Sequence, residues 1–129
     1  MNADQIVVSR DTAEKLKAKG WNKPTLFRWR TYVNFPDDLC PMSGKVLGNQ
    51  FPAPTLAEVL EELPAQIQKT GERLFLTGGK YADGKFYYSF DTRHDFIALH
   101  QDKNPAEAAA MLWLWLVENK YIEVKSNEK

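Results

Sequence analysis

A run of ten apolar residues near the end of the sequence constrains the fold more than any other feature. Residues 108–117 read AAAMLWLWLV. Asn104 as N-cap, Pro105 at the first helical position and Glu107 two residues later predict that a helix begins here and ends near Asn119. Nearly every face of such a helix is apolar. It therefore lies across a sheet with another element covering its back, or it meets a second copy of itself.

The same run is too short to cross a membrane, because ten residues are about half of the ~20 that a spanning helix needs. The opening segment MNADQIVVSRDT lacks the basic start and long apolar stretch of a secretory signal. The single cysteine, Cys40, cannot form an internal disulfide. These features predict a cytoplasmic protein that does not engage a membrane.

Composition and charge predict one ordinary globular domain. The chain has 129 residues, of which 43% are hydrophobic and 26% are charged. Lysine plus arginine equals aspartate plus glutamate at 17 each, so no global field steers an anionic polymer towards the protein. We expect a single α+β domain over residues 1–129 with short flexible termini, and not a dedicated DNA-binding protein.

Two further helices are predicted from their capping residues. Asp11 and Glu14 have the spacing of a capping box, and Gly20 supplies the left-handed position after a helix. Trp21 then falls where it should touch Leu16 in a Schellman ending, so it is predicted to be structural.

The second of these helices begins at Thr55 and has Glu58 three residues later, again a capping box. Its apolar stripe consists of Leu56, Val59, Leu60 and Leu63. Pro64 should end it, although residues 64–71 could add a further turn or two. Glu58, Glu61 and Glu62 form its acidic face.

The segment LFRWRTYVNF, residues 26–35, alternates in a way that predicts a half-buried strand. The side assigned to the core carries Phe27, Trp29, Thr31, Val33 and Phe35, and the outward side carries Leu26, Arg28, Arg30, Tyr32 and Asn34. Residues 36–54 are predicted to form a long irregular connection, with a short strand around Val46 and Leu47.

From about residue 73 to 101 the pattern predicts a three-stranded antiparallel meander. Asp83 and Gly84 indicate a type I′ hairpin turn, while Gly78 and Gly79 suggest a bulge or an early end in the first strand. Residues 120–124 (KYIEV) add a possible edge strand. The predicted fold class is α+β: an antiparallel sheet of three to five strands that includes this meander, with two or three helices packed mainly on one face.

The order of four segments carries a resemblance: TAEKLKAKGWNKP, an aromatic strand, PAPTLAEVLEEL and LVENKYI. This order resembles small uncharacterised proteins encoded by phages and mobile elements of Bacteroidota. The chain departs from many of them at Val59 and Leu60, where they carry Trp-Leu. The resemblance implies a cytoplasmic accessory protein and supplies no catalytic residue.

Enzymatic chemistry has one candidate region, around His94 and His100. Six positions separate the two histidines, which would share a face on a regular strand, but about 20 Å of extended chain lies between them. Metal ligands must all lie within about 2 Å of one ion. A metal-dependent or acid-base hydrolase is therefore the third hypothesis, and the sequence predicts no metal and no cofactor. Cys40 has no adjacent base that would activate it.

Nucleic-acid binding is the second hypothesis, through Lys23, Arg28, Arg30 and Tyr32. Such surfaces use exposed rings, and the alternation leaves only Tyr32 beside the two arginines. The basic segment could instead attract the acidic helix face within the fold.

The leading hypothesis places a protein interface at Trp113 and Trp115. Residues two apart on a helix lie about 200° apart around it, so the two rings cannot face the same partner. One ring should pack on the sheet, and the other either packs under a loop or projects into an interface. The alternative is that both belong to the core. The predicted function is accordingly a non-enzymatic accessory factor that binds an unknown protein or itself.

Overall fold

The computed structural model describes residues 6–23, 25–30, 38–41, 50–69, 72–91 and 96–122. The described helices are α1 Arg10–Ala18, α2 Leu56–Glu62 and α3 Pro105–Glu118. The described strands are β1 Phe27–Arg30, β2 Asp38–Pro41, β3 Gln50–Pro52, β4 Gln66–Lys69, β5 Glu72–Lys80, β6 Phe86–Asp91 and β7 Phe96–Asp102. The predicted α+β class is confirmed.

The described strands form two antiparallel sheets. One has four strands in the order β4-β5-β6-β7, and its last three strands are the predicted meander. The other has three strands in the order β2-β1-β3.

Helix α3 forms the centre of the core. It packs against β6 and β7 and also against α1 and α2. Its buried residues are Ala106, Ala108, Ala109, Ala110, Leu112, Trp113 and Leu116. The apolar surface of α3 is therefore covered by elements of its own chain, a sheet on one part and two helices on another, and not by a second copy of the helix.

The start of α1 differs from the prediction. Ser9, not Asp11, is the N-cap, and its side chain accepts a hydrogen bond from the Thr12 amide. Glu107 of α3 accepts hydrogen bonds from the Ser9 amide (2.9 Å), the Ser9 hydroxyl (3.0 Å) and the Thr12 hydroxyl (2.6 Å). A carboxylate at a helix N-terminus also interacts favourably with the helix dipole. The capping acid thus comes from a distant part of the chain, which no local motif can reveal.

The predicted end of α1 is confirmed. Gly20 has φ 93°, the Trp21 amide donates to the Leu16 carbonyl over 2.9 Å, and the Gly20 amide donates to the Lys17 carbonyl over 3.1 Å. These two bonds define a Schellman motif. Trp21 is buried and meets Trp113 edge to face, with 5.1 Å between ring centroids. Its predicted structural role is confirmed.

Helix α2 has both hydrogen bonds of the predicted capping box, between Thr55 and Glu58, and it stops before Pro64. The following segment was expected to add a further helical turn. It forms strand β4 instead, which pairs with β5. Ile67 points into the core while Gln66 and Gln68 are exposed. Three alternating residues are too few to distinguish a strand from a turn by pattern, so pairing with β5 decides the structure.

The segment predicted as an irregular connection contributes β2 and β3, and this part of the prediction is wrong. Both strands flank β1 and each has only one described partner, so they are edge strands. Proline is tolerated at edges because its missing amide hydrogen breaks no central ladder; Pro41 and Pro52 occupy such positions. The strand predicted around Val46 and Leu47 lies outside the described residues.

The hairpin between β5 and β6 is also not the predicted type I′ turn. Gly84 has φ 91°, but Asp83 is not among the described non-glycine residues with positive φ. The Gly84 amide donates to the Tyr81 carbonyl, and the Tyr81 amide donates to the Lys85 carbonyl. This is a three-residue loop that needs one left-handed residue instead of two.

The two glycines of β5 neither bulge nor end the strand, contrary to prediction. Gly78 pairs with Tyr88 and Gly79 with Tyr87, and the register shift occurs instead between β6 and β7. A Cβ atom on Gly78 would lie 2.5 Å from Tyr88 Cε1. Glycine is required here because a tyrosine ring lies across the backbone.

We predict that Gly78→Ala lowers the free energy of unfolding by about 1–3 kcal/mol, because the new methyl group overlaps the Tyr88 ring. In a Tyr88→Ser background the same change should cost nothing, since the ring is gone and alanine orders a strand better than glycine. Urea unfolding of the four proteins in this cycle measures the coupling. Equal costs in both backgrounds would show that the ring is not the reason for the glycine.

Candidate functional site

The structure separates the two tryptophans predicted to form an interface. Trp113 is 4% exposed and packs against Trp21, so it offers almost no surface to a partner. Trp115 is half-buried and stacks on Tyr121 with 5.3 Å between ring centroids. Of the pair, only Trp115 reaches the surface.

The basic residues predicted for nucleic-acid contact make interactions within the fold. Lys23 Nζ lies 3.8 Å from Glu62 Oε1 on the acidic face of α2. Arg28 and Arg30 are half-buried in β1, the central strand of its sheet, and each has an interaction partner. Tyr32 lies outside the described residues. The attraction between the basic segment and the acidic helix is therefore present at Lys23.

The ring-lined side of β1 faces the core at Trp29, as the alternation predicts. The Trp29 ring packs against the central cluster, and its Nε1 donates to the Val8 carbonyl over 2.9 Å.

The histidine region is only partly described. His94 lies outside the described residues, and His100 of β7 has its Nδ1 2.8 Å from the Ala98 carbonyl. Within the described ranges, no three His, Cys, Asp or Glu side chains are grouped closely enough to hold a metal ion. Cys40 lies in β2 by its backbone.

The four-stranded sheet has one face on α3 and a second face that no described element covers extensively. In β5, Leu74 and Leu76 point towards the core, so Phe75 points away from it. We call the second side the outer face. Its described residues include Gln66, Gln68, Arg73, Phe75, Thr77, Tyr87, Ser89 and Asp91, of which Ser89 is buried.

Phe75 is the most prominent side chain of the outer face, with 53% of its surface exposed. Gln66 lies opposite it on β4, and Asp91 lies opposite it on β6. The Ser89 hydroxyl donates to Asp91 Oδ1 over 2.6 Å, which fixes that carboxylate. The sequence pattern does not reveal Phe75 as an outward residue. In RLFLT, Leu74, Phe75 and Leu76 are consecutive apolar residues, so no polar residue marks which side faces outward.

A groove of about 460 Å³ lies beside β4, and we call it the β4 groove. Its lining residues are Pro64, Gln66, Ile67, Gln68, Arg73, Lys120 and Tyr121. Lys120 follows α3 and has φ 63°, a left-handed conformation that is uncommon for residues other than glycine. Residues 120–122 form turns and bends, not the predicted edge strand; the rest of that segment lies outside the described residues.

A second groove, of about 480 Å³, lies on the α3 side of the sheet near the hairpin. Tyr88, Phe86 and Lys80 are among its lining residues, and Lys80 Nζ lies 5.4 Å from the centre of the Phe86 ring. Burial raises the pKa of the Tyr88 hydroxyl, because desolvation disfavours its charged form.

The chain matches no protein-family model, no curated protein and no solved structure. Among the described residues, no helix has both the length and the apolar character that crossing a membrane requires.

The two tryptophans of α3 should respond differently to truncation. Trp113→Ala should lower the free energy of unfolding by about 3–5 kcal/mol, as expected for a large core side chain. Trp115→Ala should cost about 1–2 kcal/mol, because only part of that ring is buried and its stack with Tyr121 is worth about 0.5–1.5 kcal/mol. Denaturant unfolding measures both. A larger cost at Trp115 would contradict the packing described above.

The raised pKa of Tyr88 predicts a loss of stability at alkaline pH. The pKa of Tyr88 is raised on folding. Its contribution to the free energy of unfolding is therefore fully present below the unfolded-state pKa of about 10, and it is lost as pH rises through the higher folded-state pKa. Tyr88→Phe keeps the ring and removes the ionisable group. The melting temperature of the wild type should fall more steeply than that of the variant above pH ~10. Parallel curves for the two proteins would contradict a raised pKa.

Proposed function

We propose that this protein is a non-enzymatic accessory factor that acts in the cytoplasm by self-association through the outer face of its four-stranded sheet. The observation that carries the proposal is the exposure of Phe75 on a sheet face without a described covering element. The phage or mobile-element origin implied by the resemblance is part of the same proposal.

The outer face is mostly polar, as solvent-facing strands usually are, but it carries one large exposed ring at Phe75. Aromatic residues are enriched at interface cores and act as anchors that exclude water. Two such faces can stack about 10 Å apart, as the two sheets of a β-sandwich do.

Two features of charge favour a second copy as the partner. The formal net charge of the chain is zero, so copies do not repel one another at long range. On the outer face, Arg73 and Asp91 flank Phe75 with opposite charges. A twofold interface brings the same patch together from both copies, so the Arg73 of one copy approaches the Asp91 of the other.

The experiment is a mass measurement by light scattering after size-exclusion chromatography, over a wide range of protein concentration. The wild type should shift from monomer to dimer as concentration rises. Phe75→Ser should weaken dimerisation at least tenfold, equivalent to about 1.4 kcal/mol. Leu26→Ser is the matched control, because Leu26 is also apolar and is 65% exposed but lies outside the four-stranded sheet.

Two outcomes would contradict the proposal. A wild type that stays monomeric at every concentration rules out self-association under those conditions. A dimer that survives Phe75→Ser but is lost with Trp115→Ala assigns the interface to α3 instead. Absorbance at 260 nm recorded in the same run tests the nucleic-acid alternative, because bound oligonucleotide would raise it and salt would strip it away.

A further inference from the structure

We infer that the β4 groove binds the phosphate group of a small phosphorylated molecule. Arg73, at the start of β5, and Lys120, which follows the end of α3, both line this groove. These two cations are far apart in sequence and come to the same groove only because the chain folds. Both side chains are exposed to solvent.

None of the described residues that line the groove is acidic. Within the described part of the chain, neither Arg73 nor Lys120 forms an ion pair. The nearest acid in sequence to Lys120 is Glu118, whose Oε1 lies 3.5 Å from Lys19 Nζ on α1. The described lining residues therefore carry two positive charges and no negative charge.

The backbone at Lys120 supports a role for its side chain. The Lys120 amide donates to the Val117 carbonyl over 3.2 Å, and the Tyr121 amide donates to the Leu116 carbonyl over 2.9 Å. This is the same Schellman ending that α1 forms with Gly20, but α3 places a lysine at the left-handed position. A residue other than glycine is strained in this left-handed conformation, and backbone strain of this kind is concentrated at functional positions.

The polar groups of the groove match a phosphate. A guanidinium binds two phosphate oxygens at once, and an ammonium adds a compact charge. Gln66, Gln68 and Tyr121 supply further hydrogen-bond donors at the same place. A volume of about 460 Å³ exceeds that of a single phosphate and leaves space for a small organic group.

The test is a titration followed by ¹H-¹⁵N NMR, with phenyl phosphate and inorganic phosphate as probes and with sodium chloride at matched ionic strength as the reference. Saturable shifts are expected at Gln66, Gln68, Lys120 and Tyr121. Arg73→Gln and Lys120→Gly should each weaken binding at least tenfold. Lys103→Gln, which removes an exposed cation outside the groove, should leave binding unchanged.

Lys120→Gly also separates binding from folding. Glycine relieves the left-handed strain, so this variant should melt at the same temperature as the wild type or higher while it loses the phosphate site. Lysine near a helix C-terminus can also act only on the helix dipole. In that case phosphate binding would survive Lys120→Gly, and the inference would be wrong.

Absence of saturable shifts in the wild type would also overturn the inference. Equal binding of acetate would show a general anion site and contradict a preference for phosphate. Phe75→Ser should retain phosphate binding, and Lys120→Gly should retain self-association. Arg73 belongs to both the outer face and the groove, so Arg73→Gln should weaken both functions, whereas Phe75→Ser and Lys120→Gly let the two proposals fail independently.

Discussion

Covering a helix that is apolar on nearly every face is the constraint on which the rest of this structure depends. The four-stranded sheet supplies β6 and β7 to α3, while α1 and α2 pack against other parts of its surface. Alanines let neighbouring elements approach closely, and Trp113 fills the space beside Trp21. The apolar surface of α3 is thus used within one chain, which leaves it little capacity to hold a second copy.

The same arrangement decides which surface stays open. Glu107 ties the N-terminus of α1 to that of α3 through three hydrogen bonds, so α1 is held against the central helix and away from the sheet's other side. With α3 on one face of the four-stranded sheet, Phe75 is left on the opposite face. The exposed ring is a consequence of how the core is filled.

Features set by local chemistry were predictable from sequence, and features set by distant partners were not. The capping box at Thr55, the start of α3 at Asn104 and the glycine ending of α1 depend on neighbouring residues, and all three are confirmed. The strands β2, β3 and β4 are short and contain proline or polar residues, so only pairing with β1 or β5 makes them strands. Likewise, Phe75 and Lys120 are ordinary residues in sequence whose surroundings appear only on folding.

Hydrogen exchange measured at low and high protein concentration tests the central claim most directly. If α3 is covered by its own chain, its amides should stay protected at low concentration, where the protein is monomeric, and should exchange only through global unfolding. Dimerisation should then slow their exchange only as far as it stabilises the whole fold. Added protection at high concentration should appear in β4, β5 and β6, whose side chains form the outer face. Loss of protection in α3 on dilution, with no change in the sheet, would show instead that a second copy covers the helix, and it would contradict this account.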